Sequence, residues 1–450
     1  MWLIRGLDEL FMRIFLMTSG RVLTKSVVKS GLKRLFLRPL FLKQASLRRG
    51  ALVLTVALNS MVSASESVDA WVDCDLSIDT VDCGSAYSAT MDRSGKLWVS
   101  YVRDQHVYVS QSDDKGKNFS SPVKVNNIAE DVEHNGENRP KIIVTSEGEV
   151  LLSWTLKTSN RYTGEVRFAR SNNSGETFSE PKTVNDDELK VGHRFDSMFL
   201  TKSGHLYLTW IDKRELHASI QAGQNYAGAA IYYAVSDDYG RSFSPNYPVS
   251  SNSCECCRIA MAPSGEDGVA IVWRQIYDEQ IRDHAFAVLK PEGKVSLSAR
   301  ASFDDWYINA CPHHGPAMEI AATENDYHMT WFSNGNIHQG IYYARYNAFT
   351  GVSDAVMQVD DKPGAGHPDL KEFDGKLYLV WKGFDGKATQ LNLIVSTNNG
   401  QTWSSVQTLY STEFASDYPL LVRDKDALFL SWHSNEYGYS FSRLAEQWER

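Results

Sequence analysis

One strand pattern recurs through the chain: "KLWVSYV", "EVLLSWT", "HLYLTWI", "GVAIVWR", "DYHMTWF", "KLYLVWK" and "ALFLSWH". Each is an apolar run closed by an aromatic, and the aligned column is Tyr101, Trp154, Trp210, Trp273, Trp331, Trp381 and Trp432, spaced 53, 56, 63, 58, 50 and 51 residues apart. Such a period means one supersecondary unit built repeatedly, each copy burying its apolar face on the next. Turns such as "RSG", "SEG", "KSG" and "FDG" precede the runs, and short strands such as "YSATMD", "PKIIVT" and "PDLKEF" precede the turns, so each unit opens as a hairpin. Third strands ("VYVSQS", "IYYAVS", "NLIVST") and fourth strands ("PVKV", "PKTV", "YPVS") follow in most units. The expectation is an all-β chain, a β-propeller of four-stranded antiparallel blades with seven blades, six being the alternative. The last unit has room for a third strand but hardly a fourth, and "AWVDCDL" is expected to supply the missing one.

Charge divides the chain. The first 50 residues carry 11 Lys and Arg against two Asp and Glu, whereas the other 400 carry 35 against 53. The acidic body excludes a nucleic-acid partner, since phosphate contacts need Lys and Arg. The head reads as targeting: Arg48 and Arg49, an apolar core from Ala51 to Leu58, then Val62-Ser63-Ala64 at a cleavage site. Residues 1–64 are therefore expected to be a basic n-region plus signal peptide, and 65–450 a single propeller domain. The apolar core is too short to span a bilayer, so no stable membrane insertion is expected after cleavage. The protein would be exported, periplasmic or extracellular, with an uncleaved anchor as the rival reading.

An exported chain meets an oxidising compartment, where disulfides are the default. Cys74 and Cys83 in "DCDLSIDTVDCG" are expected to pair, and Cys254, Cys256, Cys257 and Cys311 to form two further disulfides. The alternative for that second group is a copper or zinc site using Cys256, Cys257, Cys311, His313 and His314, because thiolate and imidazole are the ligands such ions prefer.

In a propeller the loop leading into each first strand opens on one face. Those loops hold Tyr87; His134, Glu137, Asn138 and Arg139; His193, Arg194 and Asp196; Cys254 to Arg258; Cys311, His313 and His314; His367 and Asp369; Asp417 and Tyr418. Polar and titratable residues thus gather at one phase of the repeat. Arg139, Arg194 and Arg258 occupy matching positions in successive units, which suits an anionic small molecule or glycan. The plainer reading is that each pairs with a neighbouring carboxylate such as Asp196 or Glu137. His134, His313, His314 and His367 would line the pocket, able to exchange protons near neutral pH. Trp306 and Tyr307 would form a stacking platform or serve as loop anchors.

Four units also carry Ser-x-Asp/Asn-x-Gly-x-Thr/Ser/Asn-Phe/Trp: "SDDKGKNF", "SNNSGETF", "SDDYGRSF" and "STNNGQTW". This resembles the Asp-box, or BNR repeat, of the sialidase superfamily, across nearly all of residues 70–445, and the chain resembles exported bacterial sialidase-like proteins. The resemblance implies an exo-α-sialidase-type glycosidase with an arginine triad (Arg139, Arg194, Arg258), an acid/base (Asp196) and a tyrosine nucleophile (Tyr418). The sequence departs from that family: the first unit has "GSAYSATMD" where an Arg-Ile-Pro would stand, and "CECC" and "CPHHGP" are not family hallmarks. The rival class is a non-catalytic propeller that binds a ligand, glycan or metal.

Overall fold

A computed structural model describes residues 80–444 except 279, 297 and 324. The signal peptide, Cys74 and the "AWVDCDL" strand lie outside the described residues.

The described chain is a run of antiparallel meanders, and each opens with the expected hairpin. The first strands are Ser85–Met91, Lys141–Val144, His193–Leu200, Ala260–Ser264, Ala317–Ile320, Gly366–Phe373 and Leu420–Arg423. Each lies beside the next, and the last returns to lie beside the first. The second strands carry the aromatic column, and every member of it is at most 2% exposed. Burial of a ring this size requires its N–H to find a partner. Trp154 donates to Glu130, Trp210 to Asp212, Trp273 to Gln275, Trp331 to Asp304, Trp381 to Asp360 and Trp432 to the Asp417 carbonyl.

The four-stranded expectation holds for the first, second and sixth units. The third and fourth share one eight-stranded sheet, because Ser253 at the end of Tyr247–Ser253 pairs with Gln275 of the next unit. The fifth unit has five strands and the seventh three. At the seventh unit, Asp82 accepts from the Tyr439 amide at 2.9 Å and its carbonyl meets His433 Nε2 at 3.0 Å, so the start of the described chain is tied to its end. The one α-helix among the described residues, Arg214–Gln221, follows Trp210 and lies within the longest interval in the column.

The Ser-x-Asp/Asn-x-Gly segments share one geometry. Ser112, Ser171, Ser236 and Ser396 each accept from the Gly amide four residues on, at 2.7–2.9 Å. Those glycines sit at φ of 78 to 85°, where a Cβ is penalised. A Cβ on Gly175 would overlap Trp98, on Gly240 Phe168, on Gly400 Tyr343 and on Gly116 Phe441. Each turn therefore presses on an aromatic of the preceding unit, and the first unit's turn presses on the last.

Candidate active site

The loops leading into the first strands bring distant residues together. Three carry a left-handed residue where the pairing register slips: Ala86 (φ 54°), Phe195 (φ 58°) and His367 (φ 53°). Such bulges re-aim side chains and cluster near functional sites.

Glu137, 2% exposed, is the hub. Its Oε1 accepts from Arg258 Nη1 at 2.8 Å and from His367 Nδ1 at 3.0 Å. Its Oε2 accepts from the Arg258 amide at 3.1 Å and the Gly315 amide at 2.7 Å. One side chain of the second unit thereby ties the loops of the fourth, fifth and sixth. Gly315 has to be glycine, because a Cβ would overlap Arg258 and crowd Glu137. Burial alone would raise the Glu137 pKa, but the Arg258 guanidinium and His367 hold it far below the usual carboxylate range. Glu137 is thus ionised and can only accept, so His367 Nδ1 carries the proton and Nε2 the lone pair.

His367 stands in a column of rings. Its face stacks on Tyr418 with centroids 3.5 Å apart and on His314 at 4.3 Å, and His314 stacks on Phe332 at 4.1 Å. Burial lowers the His367 pKa, and Glu137 only partly restores it. Burial and His367 bring His314 to about 3. Both imidazoles are neutral at neutral pH. Burial, with the Glu137 charge next, pushes Tyr418 up to about 12, so the phenol keeps its proton.

All four rings line a cleft of about 540 Å³, together with Asn334, Gln339, Asp361, Lys362 and Lys382. Lys382 Nζ donates to the Ser416 carbonyl at 2.7 Å and lies 5.5 Å from the Tyr418 ring centre. A second cavity of about 350 Å³ runs between the first strands, walled by Glu137, Arg139, Lys141, Arg258, Asp369 and Lys371 among others, and Tyr418 borders both.

The arginines take the plainer reading. Arg139 pairs with Asp417 at 3.1 Å and also donates to the Tyr87 and Gly136 carbonyls. Arg194 grips both Glu133 oxygens. Arg258 is spent on Glu137, Pro316 and Pro368. Arg194 borders neither cavity. Asp196 is 1% exposed, accepts from the Ser153 and Thr155 hydroxyls at 2.7 and 3.1 Å, and also borders neither cavity. The bulge at Phe195 turns it toward the preceding unit. Asp369 binds the Leu421 amide in the same stapling manner, at 2.7 Å. Of the two catalytic expectations, Tyr418 reaches the cleft and Asp196 does not.

His134 is exposed and meets Ser85 Oγ at 3.0 Å, away from the cleft. Trp306 is buried, packing edge-on to Phe332 at 5.6 Å, whereas Tyr307 is 62% exposed. Cys83 is disulfide-bonded. The two further disulfides are not formed: Cys254, Cys256 and Cys257 are buried free thiols and Cys311 an exposed one. Cys254 and Cys256 approach only to 3.8 Å between sulfurs, nearly twice a disulfide bond length of about 2.05 Å.

Lys382 and Phe332 were not singled out by the sequence, although a signal existed. Each directly follows a member of the aromatic column, and the end of a second strand lies beside the start of the first: Lys382 pairs with Gly366.

No family model and no curated protein matches the chain. Among solved structures, an ulvan-degrading polysaccharide lyase bound to a GlcA–Rha3S unit is 11% identical over 81% of this chain and 97% of its own, with TM-score 0.51. A Hadza microbial sialidase is 17% identical over 80% of this chain, with TM-score 0.44, and the chain spans 65% of its length. An α-L-arabinanase from Penicillium chrysogenum is 12% identical over 67% of this chain and 89% of its own, with TM-score 0.45. The neighbours include sialidases, an arabinanase, arabinofuranosidases and a lyase, and the likeness to the lyase shows a shared all-β fold.

Proposed function

We propose that the protein is an exported, seven-bladed, carbohydrate-active propeller whose mouth cleft binds an anionic glycan and acts on it by proton transfer. The observation that carries this reading is the set Glu137–His367–Tyr418: an ionised carboxylate orients an imidazole, whose face stacks at 3.5 Å on a phenol that keeps its proton. A base and an acid thus stand side by side over a cleft that also holds the Lys362 and Lys382 ammonium groups. The reaction that uses such a set is elimination next to a uronate carboxylate. His367 Nε2 takes the C5 proton, Lys382 steadies the carboxylate as negative charge builds on it, and Tyr418 protonates the departing O4. The C4–O bond breaks as the C4–C5 double bond forms, so the reaction needs no oxidant.

Sialidase-type hydrolysis with Tyr418 as nucleophile is the second reading, favoured by the Glu137 charge next to Tyr418. It fits less well, because all three arginines are paired and Asp196 lies off the cleft. The test is a substrate panel: uronate-containing polysaccharides followed by the ultraviolet absorbance of the unsaturated product, and a fluorogenic sialoside in parallel. Turnover of a uronate polymer, lost in Tyr418→Phe, is expected. Sialoside turnover alone would replace the first reading with the second. Binding of acidic oligosaccharides without turnover of either would make the protein a binding module, and failure to bind them would overturn both readings.

A further inference from the structure

The "CECC" loop carries chemistry that the cleft does not use. The sulfurs of Cys254, Cys256 and Cys257 all lie within 4.8 Å of one another, on side chains at most 2% exposed. Cys256 also belongs to a second group of the same size limit, with Cys311 and His313, both exposed. Metal–sulfur bonds of about 2.3 Å place ligand sulfurs roughly 3.8–4.0 Å apart. The Cys254–Cys256 separation of 3.8 Å is already that distance.

Charge balance points the same way. Arg274 and Arg282 are 1% and 7% exposed. Arg282 Nη1 donates to Cys254 Sγ at 3.1 Å, and its Nη2 to Gln280. Arg274 donates only to the Arg282, His314 and Phe332 carbonyls, and its own carbonyl accepts from the Cys254 amide. Among the described residues neither guanidinium has a carboxylate within 4.0 Å, whereas Arg139, the other buried arginine, pairs with Asp417 and the partly buried Arg194 and Arg258 pair with Glu133 and Glu137. A buried cation without a counter-charge is costly. Three neutral thiols would leave both arginines uncompensated, whereas three thiolates around a monovalent cation carry two negative charges and match them.

Ligand geometry selects the ion. Thiolates favour Cu(I) and Zn(II). A structural zinc site needs four converging ligands. Here three sulfurs converge, and of these only Cys256 also groups with Cys311. Three thiolates are a sufficient shell for Cu(I).

We propose that Cys254, Cys256 and Cys257 form a trigonal thiolate site for one Cu(I) ion, and that exposed Cys311 and His313 receive the ion and pass it inward through Cys256, the ligand common to both groups. Binding replaces thiol protons, which leave to solvent, and copper stays in one oxidation state throughout. Arg274 and Arg282 act as positioning residues that hold the anionic cluster in the interior.

The test uses the full chain, reduced without oxygen and titrated with Cu(I) against bathocuproine disulfonate, with Zn(II) against a colorimetric zinc chelator in parallel. The expected result is one tightly held Cu(I), a thiolate-to-copper charge-transfer band in the ultraviolet, and three thiols newly protected from alkylation. Changes outside the ligand shell already cost 10- to 100-fold in affinity, so Cys256→Ser should lose at least about 100-fold, together with the band. Cys311→Ser and His313→Ala should keep the affinity and slow loading by about 10-fold or more. The alkylation count on the unaltered protein stands even where Cys256→Ser fails to fold. The proposal is overturned if Cu(I) is not held against the chelator, if Zn(II) is the ion retained, if Cys256→Ser binds as well as the parent, or if the four cysteines resist reduction as disulfides.

Discussion

Glu137 and His367, 230 residues apart in sequence, share a 3.0 Å hydrogen bond at the mouth of the ring. That bond lets a loop of the second unit set the protonation pattern of a loop in the sixth. It also makes Glu137 both a structural tie and a positioning residue for the imidazole.

Removing the charge on Glu137 exposes both roles. Breaking a buried ion pair by losing one partner costs about 3–5 kcal/mol. Glu137→Gln should therefore lower the unfolding free energy by about 3 kcal/mol, read by denaturant unfolding. It should also move the His367 pKa further down, since Glu137 is the group that pulls it up. Imidazole shifts followed by NMR over a pH series check the second effect, which a purely structural role would not produce.

Acid should destabilise the protein before its carboxylates titrate. His284 and His328 are buried and neutral, His284 well below its ordinary value and His328 at about 4, both from burial first. For a base with a depressed folded pKa, the unfolded chain takes the proton first. Stability attributable to His328 is thus undiminished above pH 6.5 and falls as pH drops from 6.5 toward 4, by up to about 1.4 kcal/mol per pH unit. His328→Gln should flatten that part of a stability–pH curve, and a variant curve as steep as the parent's would refute the assignment.

Two glycines separate backbone strain from crowding. Gly375 (φ 69°) has open space where a Cβ would point, whereas Gly400 (φ 79°) has Tyr343 there. Gly375→Ala should cost about 1 kcal/mol from the left-handed backbone alone. Gly400→Ala should cost at least twice that, because the Tyr343 ring must also move. Thermal unfolding of the two variants side by side makes the comparison.

The fold was legible because its signals are local and repeated. Each aromatic of the column closes a strand whose pattern is set within ten residues, and each Ser-x-Asp/Asn-x-Gly turn bonds within itself. The site was legible only as a set of loops. The sequence placed Glu137, His367 and Tyr418 at one phase, but whether Arg258 faces an anion or Glu137 depends on contacts across 121 residues. Asp196 misled because a single left-handed residue, Phe195, reverses the face that strand alternation assigns to it. The link between the third and fourth units was equally hidden, since Ser253 pairs with Gln275 across the intervening "CECC" loop and hairpin.

The most direct measurement sets the cleft against the arginine ring. Turnover of an anionic glycan by the parent protein is compared with Tyr418→Phe, His367→Gln and Arg194→Lys. Lysine cannot grip a carboxylate with two parallel bonds, so Arg194→Lys would cripple a substrate-binding triad, whereas loss of the same grip on Glu133, away from both cavities, would lower stability rather than turnover. The account requires loss of turnover by about 100-fold or more in the Tyr418 and His367 variants, with Arg194→Lys near the parent. Loss in Arg194→Lys, with Tyr418→Phe and His367→Gln still active, would contradict it.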